Sequence, residues 1–271
     1  MGAFTHGAKP ALASTSAAAE AQPPASSRVA RGYFALGRER ARCDSDGLES
    51  ATMEITWHGL SCFRLTDRGR LTVVTDPYEP AAGEDLPKLK ADAITISRDE
   101  AGYGNVAAVA GAQRGDVRIL RGAGEFEMGG VFITGVTMRS DKKRGDNMLR
   151  STVFSYYYDG LNVVNLGQLP FVPTQAQIDA LETVDVLLLP VGGGDSLNAS
   201  QASELVALIE PSIVVPMNFK TSGTSSVRKL DGVGKFLKEM GLADAKSQES
   251  LKVTRSNLPE DTQVVVLEVK Q

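Results

Sequence analysis

The rhythm of apolar residues changes once along this chain, and that change limits the folds open to it. Short runs of β-type residues succeed one another over 55–57, 62–65, 71–75, 93–97, 117–120, 131–136, 151–157 and 161–165. Asp67-Arg68-Gly69-Arg70 and Asp159-Gly160 mark turns in this series, and the second is a strong two-residue hairpin signal. From Thr174 onward, strands alternate with helices. A helix is predicted over 174–181, with Thr174 as N-cap and Gln177 in the capping-box place. Helical spacing recurs over 198–209, and a third helix over 227–240 is stopped by Gly241. Runs 184–190, 213–216 and 264–269 read as strands. This order predicts an α/β chain with two sheets packed together and helices outside.

Residues 1–52 have a different composition, rich in Ala, Ser and Pro. Gln22-Pro23-Pro24-Ala25-Ser26-Ser27 is a linker signature, followed by Arg28, Arg31, Arg38, Arg40 and Arg42. The expectation is a disordered extension, or a start placed upstream of Met53, with the folded domain over 53–271. At 42% hydrophobic and 23% charged residues over the whole chain, a large core can be buried. The formal charge of -4 argues against an obligatory nucleic-acid partner. The two cysteines, Cys43 and Cys62, form no disulfide framework; Cys62 reads as a buried thiol. A reducing cytoplasm fits that usage. No apolar run approaches the ~20 residues of a membrane span, so no membrane partner is expected.

Several segments, in order along the chain, resemble one branch of the metallo-β-lactamase superfamily, the small bacterial metal-dependent hydrolases grouped with ascorbate-phosphate lactonases. Ile55-Thr56-Trp57-His58-Gly59-Leu60-Ser61-Cys62-Phe63 is similar to that branch's Ile-x-Trp-Leu-Gly-His-Ser-Cys-Phe. Asp76-Pro77-Tyr78 matches its Asp-Pro turn, and Ala91-Asp92-Ala93-Ile94-Thr95-Ile96-Ser97 the strand entering its metal motif. Gly124-Glu125-Phe126-Glu127, Leu166-Gly167-Gln168-Leu169, Val186-Leu187-Leu188-Leu189-Pro190-Val191-Gly192-Gly193 and Pro216-Met217-Asn218 are similar too. The resemblance implies a four-layer αββα sandwich with the site at one edge between the sheets.

It also implies where metal ligands would stand. The His-x-His-x-Asp-His cluster falls on Arg98, Glu100, Gly102 and Tyr103, with Asp99 between the first two. The next histidine falls on Ser140, the bridging aspartate on Gln168 and the last histidine on Asn218. Only His6 and His58 are present in the whole chain, so no histidine-rich dinuclear site can be assembled. Gln168 and Asn218 replace charge with neutral amides, while Arg98 adds a fixed cation able to pair with Asp99 or Glu100. A charge-balanced polar network in place of metals is the expectation, with no metal and no cofactor.

Other signals are read more blandly. Val191-Gly192-Gly193-Gly194-Asp195-Ser196 lacks the Walker ending and is taken as a tight turn. Arg139, Lys142, Lys143, Arg144 and Arg150 are interrupted by Asp141 and Asp146, and read as a solvated loop. His58 reads as a structural histidine. The leading functional expectation is a non-catalytic homologue that binds a small anionic ligand or a protein partner, as a monomer or homo-oligomer. One alternative is an active ester, lactone or phosphoester hydrolase, in which Asp76, Asp99, Glu100 and Glu125 hold Mg²⁺ or Mn²⁺ or one acts as general base. The other is a scaffold subunit for an active paralogue.

Overall fold

The computed structural model describes residues 52–80, 85–98, 104–112, 115–144, 147–224 and 228–271, with 141–144 and 147 as backbone alone. The expected extension up to residue 51 therefore lies outside the described residues. In chain order the first strands are β1 (Met53–Trp57), β2 (Phe63–Thr66), β3 (Val73–Thr75), β4 (Leu89–Ala91), β5 (Ala93–Ile96), β6 (Val109–Gly111) and β7 (Arg118–Arg121). They are followed by β8 (Gly124–Met128), β9 (Val131–Arg144), β10 (Asn147–Tyr158) and β11 (Leu161–Asn165). Helix α1 (Gln175–Asp179), β12 (Val186–Pro190), α2 (Ala199–Ile209), β13 (Ile213–Met217) and α3 (Val233–Glu239) come next. Short strands β14 (Ser247–Gln248), β15 (Leu251–Val253), β16 (Gln263–Val264) and β17 (Val266–Leu267) close the chain.

Two mixed sheets result. The first has the order β15-β1-β2-β3-β5-β7 and the second β16-β13-β12-β11-β10-β9-β8, with small pairs β14-β17 and β4-β6 beside them. Their inner faces share one core, Met53, Ile55, Phe63, Leu65 and Val73 from the first meeting Val131, Ile133, Phe154 and Val163 from the second. Every residue of β12 and β13 is buried, because α1 and α2 cover the outer face of the second sheet through Ile178, Ala202, Leu205 and Val206. Ile178, Leu205 and Val206 each contribute about 1.5–3 kcal/mol by leaving water. A smaller core of Leu60, Cys62, Val74, Tyr78, Ile94 and Ile96 covers the outer face of the first sheet. Among the described residues that layer is built from loops, β4, β6 and a 3-10 turn at Val106–Ala108, not from a long helix.

Local signals were translated faithfully in places. Asp159 and Gly160 both take positive φ (47° and 85°), the geometry a two-residue hairpin needs to match strand twist. Gln177's side chain accepts the Thr174 N–H at 3.0 Å, and Asn198 caps α2 by accepting from the Gln201 N–H. The predicted helix over 227–240 begins later, at Val233 behind an N-cap Gly232. The predicted strand over 264–269 is split, β16 pairing with β13 and β17 with β14.

Candidate functional site

The loops leaving β3, β5, β11, β12 and β13 meet at one edge of the sandwich. Asp76 follows β3 in a left-handed conformation (φ 38°) and is 1% exposed. Its Oδ1 accepts the Ser97 N–H at 2.7 Å, its Oδ2 the Ser97 hydroxyl at 2.9 Å, and the Ser61 hydroxyl also bonds to it. Burial pushes the carboxyl up to about 6, against the opposing pull of the Ser97 bonds, the Arg98 charge and Ser61. Gln168 Nε2 donates to Ser61 Oγ at 3.1 Å, so amide, hydroxyl and carboxylate form one hydrogen-bonded chain that ends on the carboxylate as acceptor.

Glycine lets these loops approach one another. A Cβ on Gly167 (φ 56°) would lie 2.3 Å from Ser97 Cβ and 3.2 Å from Asp76 Oδ2. Asn165 Oδ1 holds the same turn by accepting the Gly167 N–H at 2.8 Å. A Cβ on Gly192 would lie 2.2 Å from the Asn218 carbonyl oxygen, so the Gly-rich segment serves close packing, as the tight-turn reading expects.

Arg98 is 9% exposed, and its Nη1 donates to the carbonyls of Gln168 and Asp195, both at 3.3 Å. Asn218 also takes a positive φ (52°), which asparagine tolerates better than most residues. Its backbone N–H donates to Leu60 O at 3.0 Å and its Nδ2 to Ser196 Oγ at 2.7 Å. Ser196 Oγ in turn donates to Gly193 O, which fixes the orientation of the amide and leaves Asn218 Oδ1 buried without a partner. Below this layer, Thr95 Oγ1 and Tyr156 Oη lie 2.6 Å apart and join the two sheets.

The structure therefore brings together Asp76, Arg98, Gln168 and Asn218, four of the residues singled out from sequence. Asp99, Glu100, Gly102 and Tyr103 lie outside the described residues. Ser140 is buried in β9 beside exposed Arg139. Glu125 requires a correction. It pairs with Thr134 on edge strand β8 and is exposed, while Phe126 and Met128 pack against the core. Strand alternation puts its carboxylate on the outer face of the second sheet, away from the Asp76 cluster. Ser61, Ser97, Ser196 and Asn165 were missed as participants; their only sequence signal is adjacency to the recognised motif positions.

His58 is 5% exposed, and its Nδ1 meets Lys270 O at 2.8 Å, which requires Nδ1 to carry the proton. Burial holds its pKa below the usual value, so the ring is a neutral, structural one. Cys62 is fully buried, and burial raises its thiol pKa. Among the described residues no three His, Cys, Asp or Glu side chains gather as a metal-binding group.

The profile of the beta-lactamase superfamily domain matches residues 54–218. The chain belongs to that superfamily. A crystal structure of a candidate Zn-dependent hydrolase of the metallo-beta-lactamase superfamily from Thermotoga maritima shares 31% identity with it. That likeness covers 80% of this chain and 100% of the other, with a TM-score of 0.65. A UPF0173 protein of Pyrococcus furiosus is 27% identical over 184 residues, 62% of this chain and 84% of the relative. A UPF0173 metal-dependent hydrolase of Thermoplasma acidophilum is 24% identical over 191 residues, again 62% and 84%. The resemblance to small metal-dependent hydrolases is thereby established, as is the α/β sandwich of the metallo-β-lactamase fold. No helix among the described residues is long and apolar enough to cross a membrane.

Proposed function

We propose that this superfamily member uses this edge of the sandwich to bind a small anionic ligand or a protein partner, without a dinuclear metal centre. One observation carries the reading: three of the positions implied as ligands, Arg98, Gln168 and Asn218, are engaged in hydrogen bonds within the protein, beside the buried Asp76. Asp76 is held by Ser97 and Ser61, Gln168 and Asn218 bond to serine hydroxyls, and Arg98 spans two carbonyls. Zinc takes imidazole, thiolate and carboxylate donors. The described set supplies one carboxylate, two neutral amides and a guanidinium that has no lone pair to offer and repels a cation. These residues do not fit a pair of divalent ions.

The names of the relatives favour a second reading, a metal-dependent hydrolase. In that case Asp99 and Glu100, outside the described residues, would join Asp76 in holding Mg²⁺ or Mn²⁺, or act as general base on an ester, lactone or phosphoester. A screen of those three substrate classes with and without added Mg²⁺ or Mn²⁺ separates the two. The binding reading expects no turnover above a heat-denatured control. Turnover that rises with metal and is lost in Glu100→Gln would replace it with the hydrolase.

A further inference from the structure

Strands β9 and β10 keep a regular antiparallel register from Phe132–Tyr157 to Arg139–Arg150. On one side of this ribbon Tyr156 and Phe154 pack into the core. Alternation continues that side through Thr152, opposite Thr137, to Arg150, opposite Arg139. Both arginines are exposed. Beyond them the register shifts: residues 140–142 of β9 face Leu149 alone before Lys143 pairs with Met148. Bulges of this kind are common beside functional sites, where they re-aim side chains.

The pair stands on a strand that contacts the candidate site. The Thr152 N–H donates to Ser97 O at 2.9 Å, so Arg150 lies two residues, about 7 Å, along the strand from a contact with Arg98's neighbour. Two guanidinium groups directly opposite each other on adjacent strands repel. Neither has an ion-pair partner among the described residues. From Arg139 to Arg150 the sequence has five basic residues (Arg139, Lys142, Lys143, Arg144, Arg150) against two acidic ones (Asp141, Asp146), on a chain of net charge -4.

We propose that Arg139 and Arg150 form a clamp for the phosphate group of a small ligand beside the Ser97–Arg98 loop. A phosphate brings up to two negative charges and three terminal oxygens, which match two guanidinium forks better than the two oxygens of a carboxylate. Nucleic acid fits less well, because residues 137–152 contain no aromatic side chain on which a base could stack. The inference rests on the ligand-binding reading above, but its test does not depend on metal content.

The test is calorimetry and thermal unfolding of the full chain in EDTA, with inorganic phosphate, phenyl phosphate, benzoate, or chloride at matched ionic strength. Phosphate and phenyl phosphate should bind and raise Tm more than benzoate or chloride. Arg139→Gln and Arg150→Gln should each weaken that binding by roughly tenfold or more, the loss of a charge-assisted bond. Without phosphate, each variant should melt higher than the parent, because the repulsion is relieved. Arg139→Lys keeps the charge but loses the fork, and should bind less tightly than the parent. The clamp is overturned if chloride reproduces the phosphate shift, or if both glutamine variants bind phosphate like the parent. Phosphate binding that EDTA abolishes in the parent would also overturn it, pointing to a metal instead.

Discussion

Asp76→Asn isolates the cost of the buried carboxylate beneath the site. The folded carboxyl is raised from 3.8 to about 6, with burial the largest cause. A raised acid pKa means that the folded state holds the proton more tightly than the unfolded state. Its stabilising contribution is therefore full below about pH 4 and is lost as pH climbs through about 6. The displacement corresponds to about 3 kcal/mol. Asparagine should keep both Ser97 contacts, accepting the Ser97 N–H and donating to the Ser97 hydroxyl, and it tolerates the positive φ. Urea unfolding across pH 4–8 reads the effect. The two proteins should be equally stable near pH 4, and the variant more stable by up to about 3 kcal/mol above pH 6.5. Parallel profiles over the whole range, or a variant that is less stable at pH 8, would refute this account of the carboxylate.

Three further perturbations probe the same architecture. Arg98→Gln removes a charge that lowers the Asp76 pKa, so the pH-dependent loss of stability should move to higher pH in the same titration. Gly167→Ala places a Cβ 2.3 Å from Ser97 at φ 56° and should cost about 2–4 kcal/mol in urea unfolding, from overpacking plus backbone strain. Tyr156→Phe strands the buried Thr95 hydroxyl and should cost about 1–3 kcal/mol, read the same way.

Much of the fold was legible because periodicity reports burial. β11, β12, β13 and α2 were readable from apolar runs and capping residues, since each is packed on the core. β9 and β10 were read as ending near Val136 and starting near Ser151, yet they run to Arg144 and from Asn147. The extra length is mostly charged and polar, with Met138 and Leu149 too few to show an apolar alternation. Edge strand β8, whose inward residues are only partly buried, and the short strands β14 and β15 were silent as well. At the site, Gln168 and Asn218 could be placed because they stand inside recognisable motifs. The serines that bind them could not, because hydroxyl pairing is set by loop geometry rather than by spacing. Arg98 donates to two backbone carbonyls, acceptors that every residue carries and no sequence pattern marks; its expected partners Asp99 and Glu100 lie outside the described residues.

Metal stoichiometry tests the central claim most directly. The chain should be purified without affinity tags that bind metal, incubated with excess Zn²⁺ or Mn²⁺, desalted, and analysed by elemental mass spectrometry against protein concentration. A polar network in place of the dinuclear centre predicts well under one retained ion per chain for either metal. Two tightly held equivalents, lost on Asp99→Asn or Glu100→Gln, would contradict it.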